Sequence, residues 1–253
     1  MLTYSHIVNR ISICILNLTI CFAPLPVLAE TWRVTSMEGF GPFNYTKDGE
    51  YTGIDVIILN EAASNIGVKL DHTPLPWKRA IFNFEHNEFD AIFQLAPSEE
   101  RLAKFNMIGP LRKTRTVFAV TSQSPINSFS VLADLSGLTV GVVSGFVYEE
   151  DFDKDVTIIK EEAPDDFSNI RKLLLGRVDI VVGGEATIKY VAKELAATKK
   201  LRILTQPLAQ QERYIGFHKT LDGDDKGKRL QYEIDNMHAS GRIKQIIEEQ
   251  LSE

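Results

Sequence analysis

Three residues that could bind a small molecule each follow a short apolar run of the type that forms strands: Phe40, Trp77 and Arg101. Open α/β sheets place their ligands beyond the carboxyl ends of the strands. An aromatic ring can pack on the apolar part of a solute. An arginine can hold a carboxylate through two parallel hydrogen bonds. These residues predict a site for a small solute that carries a negative group.

The second half of the chain repeats this placement. Ser144-Gly145-Phe146 follows one apolar run and Glu185 follows a later one. We expect the backbone N–H groups of Gly145 and Phe146 to lie at a helix N-terminus, where anions bind. Arg79, in the helix that Trp77 opens, is a second candidate for the anion.

Two of these residues have a structural alternative. Trp77 also fits a plain core position. Arg101, in the run Ser98-Glu99-Glu100-Arg101, also fits a solvated ion pair in the first turn of a helix.

Signatures of catalysis or metal binding are missing from the sequence. There is no nucleophile elbow, phosphate loop or dinucleotide fingerprint. The histidines after residue 30 have no metal-ligand spacing, and both cysteines precede that residue. We therefore predict a protein that is not an enzyme and that uses no metal and no cofactor.

The first thirty residues have the organisation of a secretory signal. Arg10 is the single basic residue, and the apolar run 11–22 is too short to span a bilayer. Two prolines follow, and then Val27 and Ala29 provide the small residues that a signal peptidase requires. We predict a signal peptide at 1–29, with cleavage after Ala29 and a periplasmic mature protein.

Charge limits the possible partners. The chain has 28 basic and 34 acidic residues, for a net charge of −6, and no basic run. This balance argues against nucleic acid and anionic membranes as partners. No apolar stretch after the signal is long enough to cross a bilayer, so we expect no membrane insertion after cleavage. We expect a monomer whose ligand is a small molecule.

The order of elements predicts an α/β fold with two lobes. Short apolar runs alternate with amphipathic helical patterns throughout the mature chain. Two candidate crossing strands, near 116–123 and 213–218, indicate that the chain leaves one lobe, builds a second and returns. We predict that residues 30–118 plus 216–253 form lobe 1 and that 119–215 form lobe 2.

The sequence resembles the family 3 periplasmic solute-binding proteins of ABC transporters, which include polar amino acid binders. The resemblance covers nearly all of the mature chain. It rests on the order and spacing of these segments: Gly39-Phe40-Gly41-Pro42-Phe43-Asn44-Tyr45, Tyr51-Thr52-Gly53-Ile54-Asp55-Val56, Pro76-Trp77, Phe89-Asp90-Ala91-Ile92, Ser98-Glu99-Glu100-Arg101, 132–142 and 176–183.

The resemblance implies a type II periplasmic-binding-protein fold that closes on its ligand by a hinge. It implies that the positions of Phe40 and Trp77 line the ligand slot and that Arg101 binds the ligand carboxylate. Residues 144–146 contribute from lobe 2. A partner permease of the ABC type is also implied.

The sequence departs from the family pattern at several positions. Gly184 stands where amino acid binders usually have an acid for the ligand ammonium, and Glu185 is adjacent. The segment 90–101 is one residue short, so Gln94 and Ala96 have no secure match. The identity of the solute therefore stays open.

Two other functions are compatible with the sequence. One is a dehydratase-like enzyme on the same scaffold, with Glu185 or Glu38 as general acid. The other is a ligand-sensing module without transport, which would normally be fused to a signalling domain.

Overall fold

A computed structural model describes residues 30–252 as a mixed α/β protein. The signal peptide predicted for 1–29 lies outside these residues. The elements, in chain order, are β1 (Glu30–Met37), β2 (Tyr45–Lys47), β3 (Glu50–Thr52), α1 (Ile54–Asn65), β4 (Val68–Leu75), α2 (Trp77–Glu85), β5 (Ala91–Leu95), α3 (Glu99–Lys104), β6 (Phe105–Thr121), β7 (Thr139–Val143), α4 (Glu150–Lys154), β8 (Ile159–Ala163), α5 (Asp166–Leu174), β9 (Ile180–Gly184), α6 (Glu185–Glu194), β10 (Leu201–His218), α7 (Leu221–Ala239) and α8 (Arg242–Ser252).

Eight of these strands are hydrogen-bonded in the order β4-β1-β5-β10-β6-β9-β7-β8. β1, β4 and β5 run parallel at one end of the order, and β7, β8 and β9 run parallel at the other. The long strands β6 and β10 join the two sets as an antiparallel pair, from Leu201 opposite Thr121 to His218 opposite Phe105. The predicted α/β architecture with two crossing strands is confirmed, and both strands are longer than predicted.

The first parallel set has one apolar core, and the second has two. The first core packs β1, β4 and β5 against α1, α2, α7 and α8, with Trp32 and Phe93 fully buried in it. In the second set, side chains alternate between two cores on opposite faces of the sheet. On β9, Val182 joins the core around Phe118, and Val181 joins the core beneath α5 and α6. The predicted lobe boundaries, 118/119 and 215/216, fall inside β6 and β10, and each of these strands contributes residues to the first core and to the cores of the second set.

Capping residues fix where several helices begin. The Ser98 hydroxyl accepts from the Arg101 N–H at 3.2 Å to start α3, and the Asp165 carboxylate accepts from the Ser168 N–H at 2.6 Å to start α5. Each cap satisfies an N–H group that the helix itself cannot pair. Because α3 is capped in this way, Arg101 has a fixed position just beyond β5.

The predicted helix N-terminus at Gly145 and Phe146 is wrong. The Phe146 N–H donates to the Val143 carbonyl at 3.1 Å, which closes a tight turn. Gly145 has φ +79°, a conformation that glycine adopts without a steric penalty. The next helix, α4, begins only at Glu150. The backbone N–H groups of this loop therefore do not form a helix-terminal anion site.

In residues 30–252, no helix combines the length and the apolar character that crossing a membrane requires.

Candidate functional site

A small cavity lies where the carboxyl ends of the two parallel sets meet. Its volume is about 20 Å³. Phe40 reaches it from the loop after β1, Trp77 from the start of α2, Arg101 from α3, and Phe146 from the loop after β7. Its full lining is Phe40, Trp77, Gln94, Ala96, Arg101, Phe146, Val147 and Arg213. The fold thus brings residues of both halves together at the edge where α/β sheets place ligands.

Three aromatic rings form one wall of this site. The Phe146 ring lies edge-to-face with Phe40 at a centroid distance of 5.8 Å, and with Trp77 at 5.7 Å. Phe40 and Trp77 come from the first half and Phe146 from the second. All three were predicted to contact ligand, and the structure places them side by side. The rings provide an apolar surface for the hydrocarbon part of a solute.

Arg101 is buried, with 7% of its surface exposed. Its Nη1 donates to the Ala96 carbonyl at 3.0 Å, and its Nη2 lies 3.5 Å from the Gly145 carbonyl. The guanidinium carbon is 5.7 Å from the centroid of the Trp77 ring. Burial lowers the pKa of Arg101 to about 10, although nearby Glu100 opposes this shift. A guanidinium has five N–H donors, so several are left to bind an anion.

The solvated ion pair considered for Arg101 does not form. Glu100 pairs instead with Lys104, at 2.7 Å. Within residues 30–252, Arg101 has no carboxylate oxygen within 4.0 Å. Its charge therefore faces the cavity rather than an acidic neighbour.

Gly145 and Ser144 connect the two halves at this site. The Trp77 Nε1–H donates to the Gly145 carbonyl at 3.0 Å. The Ser144 hydroxyl donates to the Glu162 carboxylate, which also pairs with Lys78 at 3.1 Å. Neither Ser144 nor Gly145 lines the cavity, but Gly145 contacts Trp77, which does.

Arg79 and Glu185 lie away from this cavity. The Arg79 side chain is exposed on α2. Glu185 begins α6, where its carboxylate pairs with Arg115 and Lys189, each at 2.6 Å. The Lys189 hydrogen bond is the main reason that the pKa of Glu185 lies below its ordinary value. A general acid would need a raised pKa.

Glu185 instead lines a separate groove of about 820 Å³, formed by α6, β6 and α8. Pro42 and Phe43, from the loop after β1, also line this groove. Four of the predicted site residues, Phe40, Trp77, Arg101 and Phe146, line the smaller cavity instead.

Arg213 was not singled out from the sequence, yet it lines the cavity from β10. Its Nη1 donates to the Gln211 Oε1 and to the Glu212 carbonyl, both at 3.2 Å. Burial lowers its pKa to about 9. The sequence signal was an arginine that opens the second predicted crossing strand.

Gln94, which has no secure match in the family pattern, also lines the cavity, and its φ is +72°. Its Oε1 accepts from the Met37 N–H at 3.1 Å and its Nε2 donates to the Asn44 side chain. These two bonds fix the amide against the first half.

A family model described as bacterial extracellular solute-binding proteins, family 3, matches residues 32–252. The chain belongs to this family. The members to which it is similar are named as binding proteins rather than enzymes, which agrees with the prediction at the level of the family.

Two of these relatives illustrate the similarity. The L-cystine-binding protein TcyJ of Escherichia coli (strain K12) is 24% identical over 220 residues, covering 85% of this chain and 80% of the relative. The "Probable amino-acid-binding protein YxeM" of Bacillus subtilis (strain 168) is 24% identical over 218 residues, covering 84% and 80%.

Solved structures share the fold. The P235GK mutant of ArgBP from T. maritima superposes with a TM-score of 0.78 at 23% identity, covering 88% of this chain and 96% of that one. A histidine kinase sensor domain similar to periplasmic binding proteins gives a TM-score of 0.80 at 17% identity, covering 87% and 96%. The fold is the type II periplasmic-binding-protein fold, as predicted.

Proposed function

We propose that this protein captures a small carboxylate-bearing solute, an amino acid or a related acid, between its two lobes and delivers it to an ABC-type permease. The observation that carries the proposal is Arg101, a buried guanidinium without a carboxylate partner among residues 30–252, set beside three aromatic rings. L-cystine is what the relative TcyJ is named for binding. The proposal includes export of the mature chain to the periplasm as a monomer.

Binding requires that the lobes separate. The cavity of about 20 Å³ has room for roughly one water molecule. A solute of several heavy atoms therefore enters only when the contacts between Phe146 and the rings of Phe40 and Trp77 are broken. The long strands β6 and β10 are the segments about which the lobes can rotate, since they are the strands shared by both cores.

The test is the affinity of the mature chain for a panel of amino acids and simple carboxylates, measured by thermal shift and calorimetry. Binding raises the melting temperature, because the folded state alone binds the ligand. Arg101→Ala should weaken the binding of the best ligand by about 10-fold to 150-fold, the size of a charge-assisted hydrogen bond. Arg79→Ala, at an exposed position, is the control and should change nothing.

An unchanged affinity of Arg101→Ala for a carboxylate would contradict the assignment of Arg101. Recovery of a chemically altered ligand would favour the enzyme alternative instead.

A further inference from the structure

We infer that the solute carries two negative groups, one bound by Arg101 and the other by Arg213. This inference rests on the proposed function and specifies its ligand. The two arginines reach the same cavity from different elements, α3 and β10. Arg101 was expected at the site from the sequence, whereas Arg213 was placed there by the pairing of β10 with β6 and β5.

Comparison with Arg112 shows what a satisfied buried arginine looks like in this protein. Its Nε and Nη2 donate to the two carboxylate oxygens of Asp55 at 2.6 and 2.9 Å. By contrast, among the described residues Arg213 bonds only to an amide oxygen and a carbonyl on its own strand, and Arg101 only to carbonyls. Within residues 30–252, neither has a carboxylate within 4.0 Å. Arg101 is buried and Arg213 is half-buried. A cation held partly or wholly away from water without a counter-charge is costly, and an anionic ligand would reduce this cost.

The acidic groups nearest to the two arginines are already engaged. Asp55, which acts on Arg213, is held by Arg112. Asp153, which acts on Arg101, accepts a hydrogen bond from the Tyr148 N–H. Glu100 and Glu85, which also act on Arg101, both pair with Lys104.

The cavity lining has no acid that could hold a ligand ammonium. Among the described residues that line it, the polar side chains are Gln94, Arg101 and Arg213. Glu185 pairs with Arg115 and Lys189 in the separate groove. The charges therefore match a dicarboxylate with a short apolar part better than a zwitterion with one carboxylate.

The wild-type mature protein gives the first test. We would measure calorimetric affinities for succinate and glutarate, for the monocarboxylates butanoate and pentanoate, and for L-alanine. Each dicarboxylate should bind at least about 10-fold more tightly than its monocarboxylate, since a second charge-assisted pair is formed. Equal affinities, or a preference for L-alanine, would overturn the inference without touching the proposed function. Absence of binding by every carboxylate would contradict the proposed function itself.

A variant locates the second anion contact. Arg213→Gln should reduce dicarboxylate affinity to the monocarboxylate level and leave monocarboxylate affinity unchanged. Arg115→Gln, in the separate groove, is the matched control and should not affect either ligand. An equal loss for both ligand types in Arg213→Gln would show that Arg213 supports the fold rather than the second group.

Arg213→Lys covers the case in which Arg213→Gln does not fold. It keeps the charge but loses the forked geometry. We expect it to bind the dicarboxylate less tightly than wild type and the monocarboxylate equally well. Equal dicarboxylate affinities in Arg213→Lys and wild type, measured together with a preference for monocarboxylates in wild type, would overturn the inference.

Discussion

The two halves of the molecule treat their buried polar groups differently. In the first half, the side chains of Asn44, Gln94, Tyr51 and Ser36 form one connected hydrogen-bond network. In the second half, Asp166, Asn169 and Thr187 are at most 5% exposed, and each has a polar atom without a hydrogen-bond partner. A buried polar group without a partner lowers stability. The polar network of the first half is therefore paired, whereas the unpaired polar groups of the second half lower the free energy of unfolding.

Glycines explain how the second half accommodates these side chains. A Cβ added to Gly183 would lie 3.0 Å from the Asp166 Oδ1, and one added to Gly141 would lie 2.8 Å from the Asn169 Oδ1. The acidic and amide groups of α5 thus pack directly on the strand backbones of β7 and β9. The first half shows one comparable case, the unpaired His72 Nδ1, and burial lowers the pKa of that imidazole to about 4, which keeps it neutral.

The largest effect that we predict concerns the first half, where a buried charge is paired. Arg112→Met leaves the Asp55 carboxylate buried without a partner, because both of its oxygens bond to Arg112. The free energy of unfolding, measured with urea, should fall by about 3–5 kcal/mol. The control is Lys154→Met, which removes an exposed pair with Glu150 and should lower the free energy of unfolding far less. Equal losses in the two variants would mean that the buried pair contributes no more than a surface pair.

The next prediction concerns the second half, where Asp166 has a side-chain oxygen without a hydrogen-bond partner. Burial raises the pKa of Asp166 from its usual 3.8 to about 7. The unfolded chain releases this proton near pH 4 and the folded chain only near pH 7, so stability falls as pH rises through this window and stays lower above it. Asp166→Asn removes the loss. At pH 8 it should stabilise the protein by on the order of 2–4 kcal/mol, with little change at pH 4.

Thermal unfolding of wild type and Asp166→Asn between pH 4 and 8 measures this difference. Asp151→Asn, at an exposed position of α4, is the control, because the charge of Asp165 itself contributes to the raised pKa of Asp166. A stabilisation of Asp166→Asn that does not vary with pH would show that the carboxyl is not the source of the loss.

The smallest predicted effect concerns the contact between the halves. A Cβ on Gly41 would lie 2.2 Å from Cε1 of Tyr190, a half-buried residue of α6. Gly41→Ala should therefore disfavour the closed arrangement by about 1 kcal/mol, the lower end of the cost of overpacking. Small-angle X-ray scattering should show a larger radius of gyration. Adding Tyr190→Ala should restore the wild-type value. A radius of gyration that stays above the wild-type value in the double variant would show that the contact with Tyr190 is not the cause.

Local patterns predicted much of the fold. The alternation of elements and the two crossing strands appear in the structure. Element bounds were less accurate: the crossing strands predicted near 116–123 and 213–218 lie at Phe105–Thr121 and Leu201–His218. Chain reversal depends on single residues such as Gly145, whose positive φ replaces the predicted helix start with a turn.

The arginines show that prediction from local sequence patterns is also limited at the site. Trp77 and Arg79 are two residues apart on α2, so they point in roughly opposite directions around the helix. Trp77 faces the cavity and Arg79 faces solvent. This difference follows from the helical period once the helix is known. The contribution of Arg213 does not, because it depends on residues far away in the chain.

By itself, the sequence determined the α/β class, the family, and the aromatic and arginine residues placed just after strands, because these features follow from residue type and local spacing. Only the tertiary structure decided that Arg213 shares a cavity with Arg101 and that Glu185 forms ion pairs with Arg115 and Lys189. Those contacts depend on strand pairing between β6 and β10, about a hundred residues apart, and on how two lobes close, which no local pattern encodes.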